Sequence, residues 1–129
     1  MIKLWVMLIS LEFPIKPIPK GRPRLSRHGV YTPQRTKTFE NDLKYLAMTQ
    51  IPRGFKPTEG AVSIDVVFNF KRPKSKAGPH ACRPDLDNLL KSLTDALNGV
   101  LWVDDAQIIS LTAIKQYADK DSIELHADI

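Results

Sequence analysis

The sequence has one cysteine, Cys82, so no disulfide can form within the chain and stability must come from a packed core. That cysteine usage fits a reducing compartment, and a cytoplasmic location is expected. Long hydrophobic runs are missing too. The most apolar stretch, Met1 to Leu11, stops at Glu12 with no small-residue cleavage site behind it and is much too short to cross a bilayer. It reads as a buried strand, and no membrane partner is expected. Lys20-Gly21-Arg22-Pro23-Arg24 lacks the glycine-rich, Lys-Ser/Thr ending of a phosphate-binding loop, which argues against a nucleotide cofactor. The most informative shortage is of acid, which is absent from Pro14 to Thr38 and again from Lys71 to Arg83.

Those two acid-free segments carry Lys16, Lys20, Arg22, Arg24, Arg27, Arg35 and Lys37, then Lys71, Arg72, Lys74, Lys76 and Arg83. They hold twelve of the 19 Lys and Arg residues, leaving seven against 14 Asp and Glu in the rest of the chain. The formal charge of +5 is therefore segregated rather than spread, and its placement favours a polyanion such as DNA held through phosphate contacts. The chain has 129 residues, enough for one sizeable core, and its 43% hydrophobic and 26% charged fractions are those of an ordinary globular protein. A single domain over residues 1–129 is the expectation.

Leu4 to Phe13 is rich in β-formers and stops at Pro14, which predicts the first strand. Pro14 to Pro33 holds five prolines and two glycines and reads as a loop or arm. Phe39, Leu43, Leu46 and Ala47 share a helical face, predicting a helix over Thr36 to Gln50 that Ile51-Pro52-Arg53-Gly54 ends. Ala61 to Phe70 alternates as a strand and runs into Lys71 to Arg83, read as a mobile loop. From Asp85 a stripe of Leu86, Leu89, Leu90, Leu93 and Leu97 predicts a second helix, stopped by Asn98-Gly99. Ala106 to Tyr117 and Ser122 to Ala127 read as two strands joined by a hairpin turn at Ala118 to Asp121. The order β-α-β-α-β-β predicts an α+β fold, a mixed sheet flanked by two helices.

Two acidic pairs stand at the ends of the second helical segment: Asp85 and Asp87 open it, and Asp104 and Asp105 follow it. Each has a plain structural explanation, helix capping for the first pair and solvated loop charge for the second. The topology adds another, because it can bring Asp85, Asp87 and Asp105 together. Close carboxylates repel by roughly 1–4 kcal/mol per pair at effective dielectrics of about 80 to 20, so a cluster needs a cation. An oxygen-only donor set points to Mg²⁺ or Mn²⁺ rather than zinc, and such an ion supports hydrolysis of a phosphodiester. Lys91 lies one turn after Asp87 and can orient the phosphate or stabilise charge; its plain alternative is an i,i+4 ion pair. A zinc site built from His80, Cys82, His28 and His126 has little to support it beside the reading of these as loop residues. Tyr31 and Phe70 are candidates to stack on unpaired bases, or else ordinary core or strand-edge aromatics.

Pro84-Asp-Leu-Asp-Asn-Leu-Leu-Lys91, followed by Asp95-Ala-Leu-Asn-Gly-Val-Leu-Trp-Val-Asp-Asp-Ala-Gln107, resembles the signature of the RusA family of phage and bacterial Holliday-junction resolvases. Pro19-Lys-Gly-Arg-Pro-Arg24 and Tyr31-Thr-Pro33 resemble the family's amino-terminal pattern. The resemblance implies a metal-dependent endodeoxyribonuclease that acts as a homodimer and nicks symmetrically related strands of a four-way DNA junction. Carried over by position, Asp85, Asp87 and Asp105 are metal ligands, Lys91 is the supporting lysine and Asp104 is a secondary acidic residue. Two competing readings are a metal nuclease for flaps or forks, and a DNA-binding accessory protein whose aspartates are only caps and surface charge.

Overall fold

Where the apolar period is long, the computed structural model, which describes residues 7–129, contains the element that period predicts. Strand β1 covers Leu8–Phe13, with Ile9, Leu11 and Phe13 alternating inward. Residues 4–6 of the expected strand lie outside the described residues. Helix α1, Gln34–Gln50, starts two residues before the predicted Thr36, because the amides of Thr36 and Lys37 both donate to the Pro33 carbonyl. It buries Thr36, Phe39, Leu43 and Ala47. Strand β4, Val62–Lys71, turns Val62, Ile64, Val66, Phe68 and Phe70 to the core. Helix α2, Leu86–Leu97, buries Leu89, Leu93 and Leu97 completely or nearly so. It ends at Asn98-Gly99, where Gly99 has φ 78°, a left-handed conformation that favours glycine. Behind that turn the buried Trp102 donates its indole N–H to Asn98 Oδ1 at 2.8 Å. A short 3₁₀ turn, Asp105–Gln107, leads into β5, Ile108–Ala118, and β6, Ser122–Asp128, closes the chain.

The segment from Pro14 to Pro33 is not wholly irregular, as its prolines suggested. It contains a small antiparallel hairpin, β2 Arg24–Ser26 and β3 Gly29–Tyr31, that pairs with no other described strand. Strands of three residues are too short for alternation to be recognised.

The main sheet has the order β1-β6-β4-β5, with β4 and β5 parallel and the other neighbours antiparallel. The fold is thus the expected α+β arrangement of a mixed sheet and two helices. One connection differs. Ala118 to Asp121 does not join hairpin partners, because β6 pairs with β4 and β1 and never with β5. The connection passes over the end of β4 instead, where the Lys71 amide donates to Asp121 Oδ1 and the Arg72 amide to the Ala118 carbonyl. Burial accounts for the choice. Strand β4 carries the sheet's most apolar face and belongs in the centre, whereas β5, with Ser110, Thr112, Lys115 and Gln116, tolerates the edge. Even the buried Asn69 of β4 is satisfied across both neighbours, donating to Ser122 Oγ and Glu124 Oε2 and accepting from Gln116 Nε2.

The core strands and both helices share one hydrophobic cluster. The opposite sheet face carries Glu12, Asp65, Glu124 and Asp128 among the β1, β4 and β6 positions facing away from it. Acid therefore gathers on the sheet face turned away from the core, with Lys71 at its margin.

Candidate active site

Helix α2 positions the first acidic pair. Asp85 stands at its N-cap with extended backbone, and its carbonyl accepts from Leu89 N, yet its carboxylate accepts no capping hydrogen bond. The neighbouring amide of Asn88 is instead taken by Asp87 Oδ1 at 2.9 Å. The oxygens of Asp85 are therefore not used by the helix it precedes, and capping does not explain the carboxylate. Asp85 lies in a cleft of about 320 Å³ that it shares with Lys16, Pro17, Pro19, Arg35, Phe70, Arg83, Pro84 and Asn88. Lys16 and Arg35 come from one acid-free segment and Arg83 from the other, so folding brings both basic clusters to this carboxylate.

The second pair divides its work. Asp104 precedes the 3₁₀ turn and caps it: Ala106 N donates to Asp104 Oδ2 at 3.0 Å while Asp104 N donates to Gln107 Oε1 at 2.8 Å. This reciprocal arrangement uses Asp104 structurally. Gln107 extends the support by donating to the carbonyls of Thr58 and Gly60. Asp105, next in sequence, faces α2, and its Oδ2 lies 3.8 Å from Lys91 Nζ.

Lys91 is held more closely by Asp95, Nζ to Oδ1 at 3.0 Å. Its pKa is raised, first by the hydrogen bond it donates to Asp95 and that residue's charge and then by Asp105, so it carries its proton at neutral pH. Asp95 also receives Lys20, at 3.3 Å from Oδ2, and Lys20 donates to Glu40 at 2.5 Å. Burial opposes the charge on Lys20, but the hydrogen bonds and charges of Glu40 and Asp95 prevail and raise its pKa. A chain of alternating charge thus runs Glu40, Lys20, Asp95, Lys91, Asp105. Lys20 was expected among the DNA-binding residues; the fold gives it two carboxylate partners within the protein. Sequence reasoning missed Asp95 as part of the site, although its i,i+4 spacing from Lys91 was a usable signal.

The other predicted residues are dispersed. Arg22, Arg27 and Lys37 are exposed on or beside the hairpin and at the start of α1, and Arg24 opens β2. Lys71, the last residue of β4, and Lys74 and Lys76, in the segment after it, are exposed. That segment is tied down rather than free. The Arg72 guanidinium donates to the Gly78 carbonyl and lies 4.8 Å from the centre of the Tyr117 ring. His80 is buried, stacked on Tyr117 at 4.5 Å and edge-on to Phe70 at 4.7 Å. Lys115 donates to the carbonyls of Cys82 and Pro84, immediately before Asp85. Burial, and then the charge of Lys115, lower the pKa of His80. His80 and Cys82 are 3.7 Å apart, but they serve this packing, and Phe70 is enclosed by it rather than offered to a base. Among the described residues no group of three or more His, Cys, Asp or Glu side chains is gathered as a metal-ligand set. Asp105 meets Lys91, and Asp85 meets the basic cleft.

Over residues 14–126 the sequence matches the family described as endodeoxyribonuclease RusA. The chain belongs to that family. It is also 32% identical over 127 aligned positions to the uncharacterized protein YqaN of Bacillus subtilis strain 168, covering 85% of this chain and 88% of that one. Membership makes endodeoxyribonuclease action, at the level of Holliday-junction endonucleases, the family's activity. Across the matched span lie both acidic pairs, Lys91, Asp95 and the basic residues of the cleft. No described helix is long and apolar enough to cross a membrane.

Proposed function

We propose that this protein is a Mg²⁺-dependent endonuclease that resolves four-way DNA junctions by paired symmetric nicks during recombination and repair. The observation that carries the reading is the Asp85 carboxylate, which stands at a helix start without capping it and, among the described residues, lines a cleft together with Lys16, Arg35 and Arg83. A carboxylate without structural work among cations suits a site where phosphate and a divalent ion meet.

In this reading Asp85, Asp87 and Asp105, which form no gathered ligand set among the described residues, would be drawn together by the ion they hold, and their oxygen donors fit Mg²⁺, with Mn²⁺ able to replace it. When bound, the ion supplies Lewis-acid activation of water and phosphodiester. The protein's own groups do the rest. Lys91, kept protonated and aimed by Asp95, stands beside Asp105, where it offers a charge-assisted hydrogen bond to a phosphate oxygen. Lys16, Arg35 and Arg83 orient the backbone of the bound strand, and exposed Arg22, Arg27, Lys37, Lys71, Lys74 and Lys76 extend the contact along the arms.

Two nicks related by a two-fold axis need two sites, and a chain with one such carboxylate group provides one, so the active form is a homodimer. Cleavage of a mobile four-way junction, a flap, a fork and a linear duplex, each with Mg²⁺, Mn²⁺, Ca²⁺ or chelator, tests this function. Junction nicking in Mg²⁺ and Mn²⁺, abolished by chelator, is expected. Preference for flaps or forks would redirect the substrate assignment. DNA binding indifferent to metal, with no nicking of any substrate, would make the protein an accessory binder.

A further inference from the structure

We infer that the β2–β3 hairpin is a wedge that enters the branch point of the DNA, with Leu25 and Val30 as the side chains that displace stacked bases. This inference rests on the nuclease reading for its substrate but on different residues.

The hairpin leaves the site from a fixed root. Lys20 N donates to the Asn88 carbonyl of α2 at 3.0 Å, and Gly21 N donates to Thr36 Oγ1 at 3.0 Å. A side chain at Gly21 would begin only 2.7 Å from that hydroxyl oxygen, so the chain passes close against α1. Beyond the root, among the described residues β2 and β3 pair only with each other. Their turn is pinned by Ser26, whose hydroxyl donates to the Gly29 carbonyl and accepts from His28 N, and by Gly29 at φ 109°. Three-residue strands carry the turn about 10 Å from the root.

Leu25 and Val30 are directly opposite in the register and so share one face of this projection. They are 84% and 65% exposed. An isolated two-stranded hairpin is marginal in water, and an apolar cross-strand pair turned outward adds surface that seeks cover. Charge identifies the cover. Arg22, Arg24, Arg27, Arg35 and Lys37 stand in or beside the hairpin with no acidic residue from Pro14 to Thr38. Cations flanking an exposed apolar pair just behind the turn match nucleic acid, whose phosphates take the arginines while the pair enters between bases. Stacked duplex resists such insertion by a few kcal/mol per step, whereas a branch point has steps that are already interrupted. One apolar pair is also far smaller than the roughly 1,200 Å² of a stable protein interface. The wedge therefore discriminates branched from linear DNA, while the arginines bind both.

The test uses the full-length protein and a four-way junction carrying 2-aminopurine at the branch, with Ca²⁺ replacing Mg²⁺. Wild type is expected to raise 2-aminopurine fluorescence on binding. Leu25→Thr with Val30→Thr keeps every cation and two β-forming residues. It should lose that rise and about tenfold in junction affinity, with linear-duplex affinity unchanged. Leu25→Phe keeps the exposed pair apolar and should retain both signals. An unchanged junction preference and fluorescence in the threonine pair would overturn the wedge. So would loss in Leu25→Phe as well, which would assign the effect to the hairpin fold, or a fall in dimer mass as the threonine pair's only change, which would make the apolar pair a contact between copies. Wild-type cleavage in Mg²⁺ is read separately. A protein that unstacks the branch but never nicks keeps the wedge and loses the nuclease; one that nicks junctions without the fluorescence rise loses the wedge alone.

Discussion

Two helical segments of this molecule begin with an aspartate at the same position, and the two aspartates do different work. Asp104 precedes the 3₁₀ turn, accepts from Ala106 N and is answered by Gln107, so its charge belongs to the local fold. Asp85 precedes α2 with similarly extended backbone, but the Asn88 amide is taken by Asp87, and Asp85 faces a cleft with Lys16, Arg35 and Arg83 instead. Residue type and helix position thus do not decide whether a carboxylate is structural; the partners left for its oxygens do. The contrast also divides Asp104 from Asp105, which differ by one residue and diverge toward the turn and toward Lys91.

The comparison sharpens most strongly at the proposed metal site. Asp87→Asn should lower junction cleavage in Mg²⁺ by at least about a hundredfold, roughly 3 kcal/mol of transition-state stabilisation, with folding retained. Junction binding in Ca²⁺ should persist or tighten, since a negative charge near the phosphates has gone. Normal cleavage with full folding would place Asp87 with Asp104 as a structural residue.

A smaller loss is expected at Asp95, which touches no predicted ligand yet holds Lys91 and Lys20 together. Asp95→Asn should reduce kcat by about 10- to 100-fold, the range for residues that orient a site, with KM for the junction changed far less. A rise in KM with kcat unchanged would mean instead that Lys91 acts by uniform binding.

Next in size is the cap. Asp104→Ala should cost about 0.5–2 kcal/mol in denaturant unfolding and leave the rate per folded molecule close to wild type. A collapse of cleavage in a stable Asp104→Ala protein would reverse its assignment.

The smallest effect concerns the packing that leads into Asp85. Burial and Lys115 depress the His80 pKa, so the folded state favours the neutral ring and the unfolded state takes up protons first as pH falls. Stability contributed by neutral His80 is complete above its unfolded value of about 6.5 and declines as pH drops through the lowered folded value. Melting between pH 7.5 and about 5 should fall less steeply for His80→Phe than for wild type; parallel curves would remove His80 as a contributor.

The leucine stripe of α2, the alternation of β4 and the Asn98-Gly99 stop made much of the fold legible, because each is a local pattern with one long-range meaning. The β5–β6 connection was not, since its turn residues suit a hairpin equally well and only the greater apolarity of β4 decides which strand lies between. The β2–β3 hairpin was hidden by strands too short to show a period. At the candidate site, the acidic pairs and Lys91 stood out by spacing, whereas the division between Asp104 and Asp105 depends on backbone direction at the 3₁₀ turn. Asp95 was hidden because its second partner, Lys20, is distant in sequence.

The most direct test is Asp85→Asn, assayed in one preparation for Mg²⁺-dependent cleavage of a four-way junction and for thermal unfolding. An uncapped carboxylate that serves the metal predicts at least about a hundredfold loss of cleavage with stability within roughly 0.5 kcal/mol of wild type. Full cleavage together with a stability loss of about 0.5–2 kcal/mol, the signature of a removed cap, would contradict it.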